Sequence, residues 1–289
     1  LITYFDVEGD KMLNIYKPLE GLIDKAGWRG PLRKTPFYFA YKFIKALPMV
    51  FDYRMVNLYS RELFRKCLRN DEPEPDVYSA WLESFQFQPE SPLGNLQLVN
   101  PLPWMYIKAV HFMEYHLLSR KRAVVFEWGS GTSTIWFSKR ARKVFSTENN
   151  GEWYSTLRSE IVKRNINNVE MLLKEATPDQ SNVIPSKYKT AWEGFIGRNF
   201  RDYVTSIDDV EGSFDLILID GVCRQACLEM AVSRIKPDGL IVLDNSARPR
   251  YQSMIKSLEE TFFVMRVSGP TPYGQGDDET TLLWPRSSS

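Results

Sequence analysis

From about Arg122 onward the chain alternates short apolar runs with segments of helical pattern, and this rhythm restricts the possible fold more than any other feature. The runs are AVVFEW (123–128), KVFSTE (143–148), VEMLLKEA (169–176), FDLILID (214–220), GLIVLDN (239–245), FFVMRVS (262–268) and TTLLW (280–284). Most are continuously apolar, as expected of strands covered on both faces in a mainly parallel sheet. Helical patterns fall between them over 133–142, 152–165, 224–235 and 250–260. Strand–helix alternation of this kind predicts an α/β, Rossmann-like, doubly wound sheet of seven strands. Pro237-Asp238-Gly239 is a turn signal ahead of the fifth strand, and Pro249 suits the first turn of a helix.

One connection breaks the rhythm. About 35 residues join the third run to the fourth, longer than an ordinary αβ loop. This insertion, about 177–210, carries Trp192, Phe195, Phe200 and Tyr203 and is expected to be ordered. It is a candidate substrate wall or lid; the alternative is a packing element with no substrate role.

The first hundred residues lack the alternation and are expected to form a mainly helical cap or substrate region, with the α/β domain spanning 101–289. Their charges are segregated: 25–69 holds eleven basic residues against Asp52 and Glu62, while 71–90 holds six acidic residues and no basic one. The basic block is interleaved with Trp28, Phe37, Tyr38, Phe39, Tyr41, Phe43, Phe51, Tyr53, Tyr59 and Phe64. Such a mixture suits phosphates, acidic glycans, nucleic acid or an anionic membrane surface. It equally suits a cap whose aromatics pack inward and whose charges face water.

Over its 289 residues the chain is 43% hydrophobic and 25% charged with a net charge of +1, so neither disorder nor a strong overall field is expected. Cys67, Cys223 and Cys227 are too few for a disulfide framework, and two histidines offer no zinc-ligand spacing. Reduced thiols in a cytoplasmic protein are the expectation. The N-terminus lacks a signal-peptide pattern, and no run approaches a membrane span.

The chemistry starts at VVFEWGSGTST, a buried strand running into a glycine-rich turn and then a helix. Gly129 and Gly131 permit tight backbone angles and a close approach by a ligand. Thr132 or Ser133 can cap the helix, whose free N–H groups face that ligand. A dinucleotide fingerprint would want a third glycine where Thr134 stands. Glu127, two residues before the first glycine, would repel a pyrophosphate but favour a cation.

These residues resemble the first motif of the class I S-adenosylmethionine (SAM)-dependent methyltransferases, here Glu127, Gly129 and Gly131, with Ser133 in place of the usual third glycine. The resemblance covers roughly 101–289. It implies that Glu148, closing the next strand in STENN with Asn149 beside it, holds the ribose hydroxyls. It implies that Glu175-Ala176 meets the adenine, that Asp220-Gly221 ends the fourth strand, and that KPDG (236–239) precedes the fifth. The last strand would be antiparallel. The preceding segment, NPLPWMYIKAVHFMEYHLL, would form a helix over the cofactor with Trp104 and Tyr106 near its start. Glu148 alone is not diagnostic, since a ribose-binding acid also marks nicotinamide enzymes.

For the acceptor, Asp220 with Asp244-Asn245 resembles the metal site of catechol-type O-methyltransferases. That implies a magnesium ion on Asp220, Asp244 and Asn245, which are hard oxygen ligands. That family's lysine base after the fourth strand is missing; Arg224 follows instead and stays protonated. Asp220 or Asp244 is then the candidate base, with or without a metal. The wording EWGSGTSTIWFSKR, LDNSARP and GPTPY is also similar to a group of bacterial-type methyltransferases whose expected acceptors are glycans or secondary metabolites. The expected activity is O-methylation of a small-molecule or glycan hydroxyl. Methylation of a nucleic acid or protein through the basic aromatic block, and a non-catalytic scaffold or membrane-surface adaptor, stay open beside it.

Overall fold

The computed structural model describes residues 101–120, 122–179, 186–190, 194–271 and 277–286. The expected helical cap over 1–100, its basic aromatic and acidic blocks, Cys67 and Trp192 lie outside the described residues.

An extended segment leads into helix α1 (Ile107–Leu118). Strand β1 (Val124–Trp128) follows, then α2 (Thr132–Ser138), β2 (Lys143–Glu148), α3 (Gly151–Lys163) and β3 (Val169–Leu173). The insertion holds β4 (Thr177–Pro178), β5 (Arg198–Asn199), the short helix α4 (Arg201–Thr205) and two single-turn 3-10 helices. The chain then resumes its alternation with β6 (Phe214–Ile219), α5 (Arg224–Arg234), β7 (Ile235–Leu243), α6 (Pro249–Leu258), β8 (Phe262–Pro270) and β9 (Asp277–Pro285).

Seven strands form one sheet in the order β3-β2-β1-β6-β7-β9-β8. The pairs β3–β2, β2–β1, β1–β6 and β6–β7 are parallel, whereas β9 runs antiparallel to both β7 and β8. The expected antiparallel last strand is therefore present, inserted between β7 and β8. The order reverses between β1 and β6, which makes the crevice at their carboxyl ends the topological switch point, where open α/β sheets bind ligands.

The continuous apolar runs are explained by burial on two faces. One face carries Val125, Val144, Leu216, Leu218, Leu240, Val242 and Leu282 against α1 and α2. The other carries Phe126, Trp128, Ile217, Ile219, Ile241, Leu243 and Leu283 against α4, α5 and α6. All six residues of β6 are buried, as befits the centre of the sheet. Leu157 and Ile161 of α3 pack with Ile135 of α2, so only one stripe of that helix is apolar.

Two boundaries differ from expectation. KPDG does not precede β7 but lies inside it, as an irregularity: Phe214 pairs with Ile235 and Leu216 with Leu240, so the intervening residues bulge from the ladder. An extra loop residue set in one strand is accommodated this way when both flanks remain paired. The tail of VEMLLKEA leaves the sheet after Leu173, and Glu175 is exposed. The insertion is ordered where described: Phe200, Tyr203, Val204 and Ile207 sit in the core beside Phe126 and Trp128. Among the described residues, no helix is long and apolar enough to cross a membrane.

Candidate functional site

The turn after β1 is built by contacts that only its own residues allow. Gly129 has φ +97, and a Cβ there would lie 2.8 Å from the Asp220 backbone. A side chain at 129 would thus collide with the end of β6 as well as strain the backbone. Gly131 differs. Its backbone is extended, with φ −173, and the nearest atom to an added Cβ is Ser133 Oγ at 3.9 Å. Gly131 is therefore not needed for a special angle, as the sequence suggested; its missing side chain leaves open space beside the turn.

Glu127 lies beneath this turn with no exposure. Ser133 Oγ donates to Glu127 Oε2 at 2.8 Å, and the Thr134 hydroxyl donates to Oε1. Thr134 also accepts from the Gly131 N–H at 3.0 Å. Thr134 stands where a dinucleotide fingerprint has its third glycine, and it uses that position to tie the turn to the acid. Ser146 extends the network, with its hydroxyl 2.5 Å from that of Ser130. Burial pushes the Glu127 carboxyl up to about 7, against the three surrounding hydroxyls of Thr134, Ser146 and Ser133.

Glu148 closes β2 next door. Its Oε1 accepts from the N–H groups of Asn149 and Asn150, each at 2.8 Å. Burial raises its carboxyl, while these N–H groups and the Ser130 backbone pull it back. Asn149 thus contributes its backbone to Glu148. Asn150 caps α3 by accepting from the Trp153 N–H at 2.9 Å. The Trp153 indole in turn donates to Ser130 O at 2.7 Å, fixing the turn against α3. Glu175 is exposed, and its Oε1 lies 3.0 Å from the Cβ position of Gly151, at the start of α3. That puts Glu175 on the same side of the sheet edge as Glu148.

The preceding segment is tied to the turn as well, because Thr132 Oγ1 donates to Leu102 O at 2.6 Å. Trp104 is half-buried two residues further on, and Tyr106 stands immediately before α1, with no capping hydrogen bond from its side chain. Thr132 is therefore spent on holding that segment, and Ser133 on holding Glu127.

Asp220 and Asp244 end β6 and β7, adjacent parallel strands. The structure brings them together around Arg224, at the start of α5. Arg224 Nη2 lies 2.9 Å from Asp220 Oδ1, and Nη1 lies 3.5 Å from Asp244 Oδ2. Asp244 Oδ1 accepts from Thr280 at 2.8 Å. Asn245, at φ +50, is turned away: its amide nitrogen donates to Asp278 and its oxygen accepts from Arg248 at 3.1 Å. Desolvation, followed by the Asp244 charge, pushes the Asp220 carboxyl well above the carboxylate range, with Arg224 opposing.

The residues do not fit the magnesium site that the resemblance implied. A guanidinium already pairs with both aspartates, and the Asn245 oxygen faces a second arginine. Among the described residues, no group of three or more His, Cys, Asp or Glu is placed to hold a metal. Sequence reasoning treated Arg224 only as a poor base, Thr134 only as a missing glycine and Tyr203 only as part of the insertion, and passed over Ser146. The legible signal for Arg224 was a cation at the start of the helix that follows the fourth strand, four positions after Asp220.

No family model matches the chain, and no curated protein matches it in sequence. Among solved structures it is similar to the O-methyltransferase from Bacillus cereus in complex with SAH, at 18% identity over 80% of this chain and 97% of that one, TM-score 0.47. It is similar to the O-methyltransferase TomG from Streptomyces achromogenes, involved in tomaymycin synthesis and solved with SAM, at 16% identity over 79% and 96%, TM-score 0.47. An rRNA methylase from Streptococcus thermophilus is 10% identical over 61% of this chain and 95% of its own, TM-score 0.44. The fold is read from the strand order; these likenesses assign no residue and no acceptor.

Proposed function

We propose that this chain is a SAM-dependent methyltransferase, with the cofactor across the carboxyl ends of β2 and β1 and the acceptor hydroxyl at the end of β6. The observation that carries the reading is the pair of acids flanking one open glycine turn, Glu127 beneath it and Glu148 beside it. Two carboxylates would repel a pyrophosphate and favour a ligand bearing an ammonium and a sulfonium. The turn itself is open at Gly131, where a ligand can approach the backbone.

When bound, SAM would supply an electrophilic methyl group for transfer to the acceptor oxygen. Glu148 holds the ribose hydroxyls with the carboxylate oxygen that Asn149 and Asn150 do not occupy. The turn 129–131 receives the methionine end, and Glu127 supplies the local negative field. Glu175 and the start of α3 border the adenine. Three strand spacings, roughly 14 Å, separate the β2 end from the β7 end, which leaves room for an acceptor beside Asp220. Asp220 takes the acceptor proton. Its raised carboxyl makes it a stronger base than an ordinary aspartate once ionised. The acceptor class is a small-molecule or glycan hydroxyl. The basic aromatic block 25–69 favours a second reading, a nucleic-acid acceptor, whose binding would weaken steeply with salt.

Calorimetry with S-adenosylhomocysteine (SAH) tests the cofactor claim. The wild-type chain is expected to bind SAH, and Glu148→Ala to weaken binding by about 1.5–3 kcal/mol, the loss of a charge-assisted hydrogen-bonded pair. NAD is expected not to compete. Unchanged SAH affinity in the variant, or displacement of SAH by NAD, would remove Glu148 and the turn from the site as assigned.

A further inference from the structure

We infer that Arg224 takes the place of a divalent cation beside Asp220 and Asp244, so that the acid pair is held by a fixed guanidinium and the site takes no metal. A guanidinium has five N–H groups in a planar fork. All five find acceptors here. Nε donates to Gly221 O at 2.9 Å, Nη1 to Asp244 O at 2.5 Å and Asp244 Oδ2 at 3.5 Å, and Nη2 to Asp220 O at 3.2 Å and Asp220 Oδ1 at 2.9 Å. Three backbone carbonyls and two carboxylates thus converge on one permanent cation, joining the end of β6 to the end of β7.

The arrangement is enclosed. The Arg224 and Asp244 side chains are 7% and 4% exposed, whereas Asp220 keeps 26%. Asp220 is therefore the member of the trio that faces the cleft, and Arg224 fixes its direction from behind. A magnesium ion requires near-octahedral oxygen ligation at about 2.1 Å. Four of the five side-chain oxygens that would supply it are engaged elsewhere. Asp220 Oδ1 and Asp244 Oδ2 face the guanidinium, Asp244 Oδ1 takes the Thr280 hydroxyl, and the Asn245 oxygen takes Arg248. Burying two adjacent carboxylates without a counter-charge is costly, and the permanently charged guanidinium offsets part of that cost. Arg224 is a positioning residue, acting through Asp220. How the acid pair is held does not depend on the methyl-transfer reading.

Manganese titration of the full chain, followed by the electron paramagnetic resonance of free Mn2+, tests it without cofactor or acceptor. The wild-type chain is expected to bind no Mn2+ at millimolar concentration, and Arg224→Lys, which keeps a cation there, to behave likewise. Arg224→Met removes the cation that the two carboxyl groups share and is expected to gain Mn2+ binding by at least tenfold, with guanidinium chloride at millimolar concentration competing that binding away. Stoichiometric Mn2+ binding by the wild-type chain that Asp220→Asn abolishes would overturn the inference. So would a folded Arg224→Met chain, judged by circular dichroism, that binds no more Mn2+ than wild type. Should that variant not fold, the wild-type titration alone decides.

Discussion

Glu127 carries a charge that its surroundings resist. Its folded value of about 7 lies above the ordinary carboxylate value of 4.5, and burial is the main cause. The folded chain therefore keeps a proton that the unfolded chain loses, and the contribution of this group to stability falls as pH rises from about 4.5 to about 7. The ammonium of a ligand's methionine end, which SAH keeps, favours the ionised form. SAH binding at pH 6 is thus expected to release a proton, and affinity to tighten by about tenfold between pH 6 and pH 8. Calorimetry in buffers of different ionisation enthalpy reads both quantities, and Glu127→Gln should flatten the profile. Equal pH dependence in wild type and variant would place the proton elsewhere. The sequence showed the acid and its spacing to Gly129. It did not show that Ser133, Thr134 and Ser146 enclose it, because those hydroxyls come from three separate positions that only the packed turn unites.

At the scale of elements, most strands and helices were legible within a few residues, since double-sided burial writes a continuous apolar run. The exceptions have physical reasons. β7 extends back through KPDG because a bulge keeps Ile235 paired. Elements inside the insertion are two-residue strands and single turns, too short to leave a period in the sequence. The insertion's best-defined contact is α4, seated on the seam between β1 and β6. The Trp128 indole donates to Tyr203 O at 2.9 Å, and Tyr203 is fully buried. Its hydroxyl has no hydrogen-bond partner and lies 1.8 Å from where a Cβ on Gly221 would stand. Gly221→Ala is therefore expected to destabilise the fold by about 1–3 kcal/mol, the usual cost of overpacking. Tyr203→Phe should be neutral or stabilising, since it removes a buried group without a partner. Combined with Gly221→Ala it should recover part of the loss, because the closest remaining ring atom is 3.0 Å away. Denaturant melts of the two single variants and the double variant give the coupling. Strict additivity would mean that α4 is not seated as described.

For the molecule as a whole, the sheet order decides where chemistry is possible. The crossing between β1 and β6 gathers the glycine turn, Glu148, Asp220 and Asp244 along one edge, although they span 116 positions of sequence from 129 to 244. The strand ends at which these acids fall were legible in the sequence. The charge between the last two was not, because Arg224 reaches Asp244 only after β6 and β7 pair. With a net charge of +1 the chain has no strong overall field, so recognition of a cationic cofactor rests on these local acids. The most direct test of that placement is a crystal structure of the full chain with SAH. The expected result puts the ribose hydroxyls within hydrogen-bond distance of Glu148, the amino-acid end on the turn 129–131, and the sulfur facing the Asp220 end of β6. SAH bound away from that turn, or with its ribose out of reach of Glu148, would contradict the assignment.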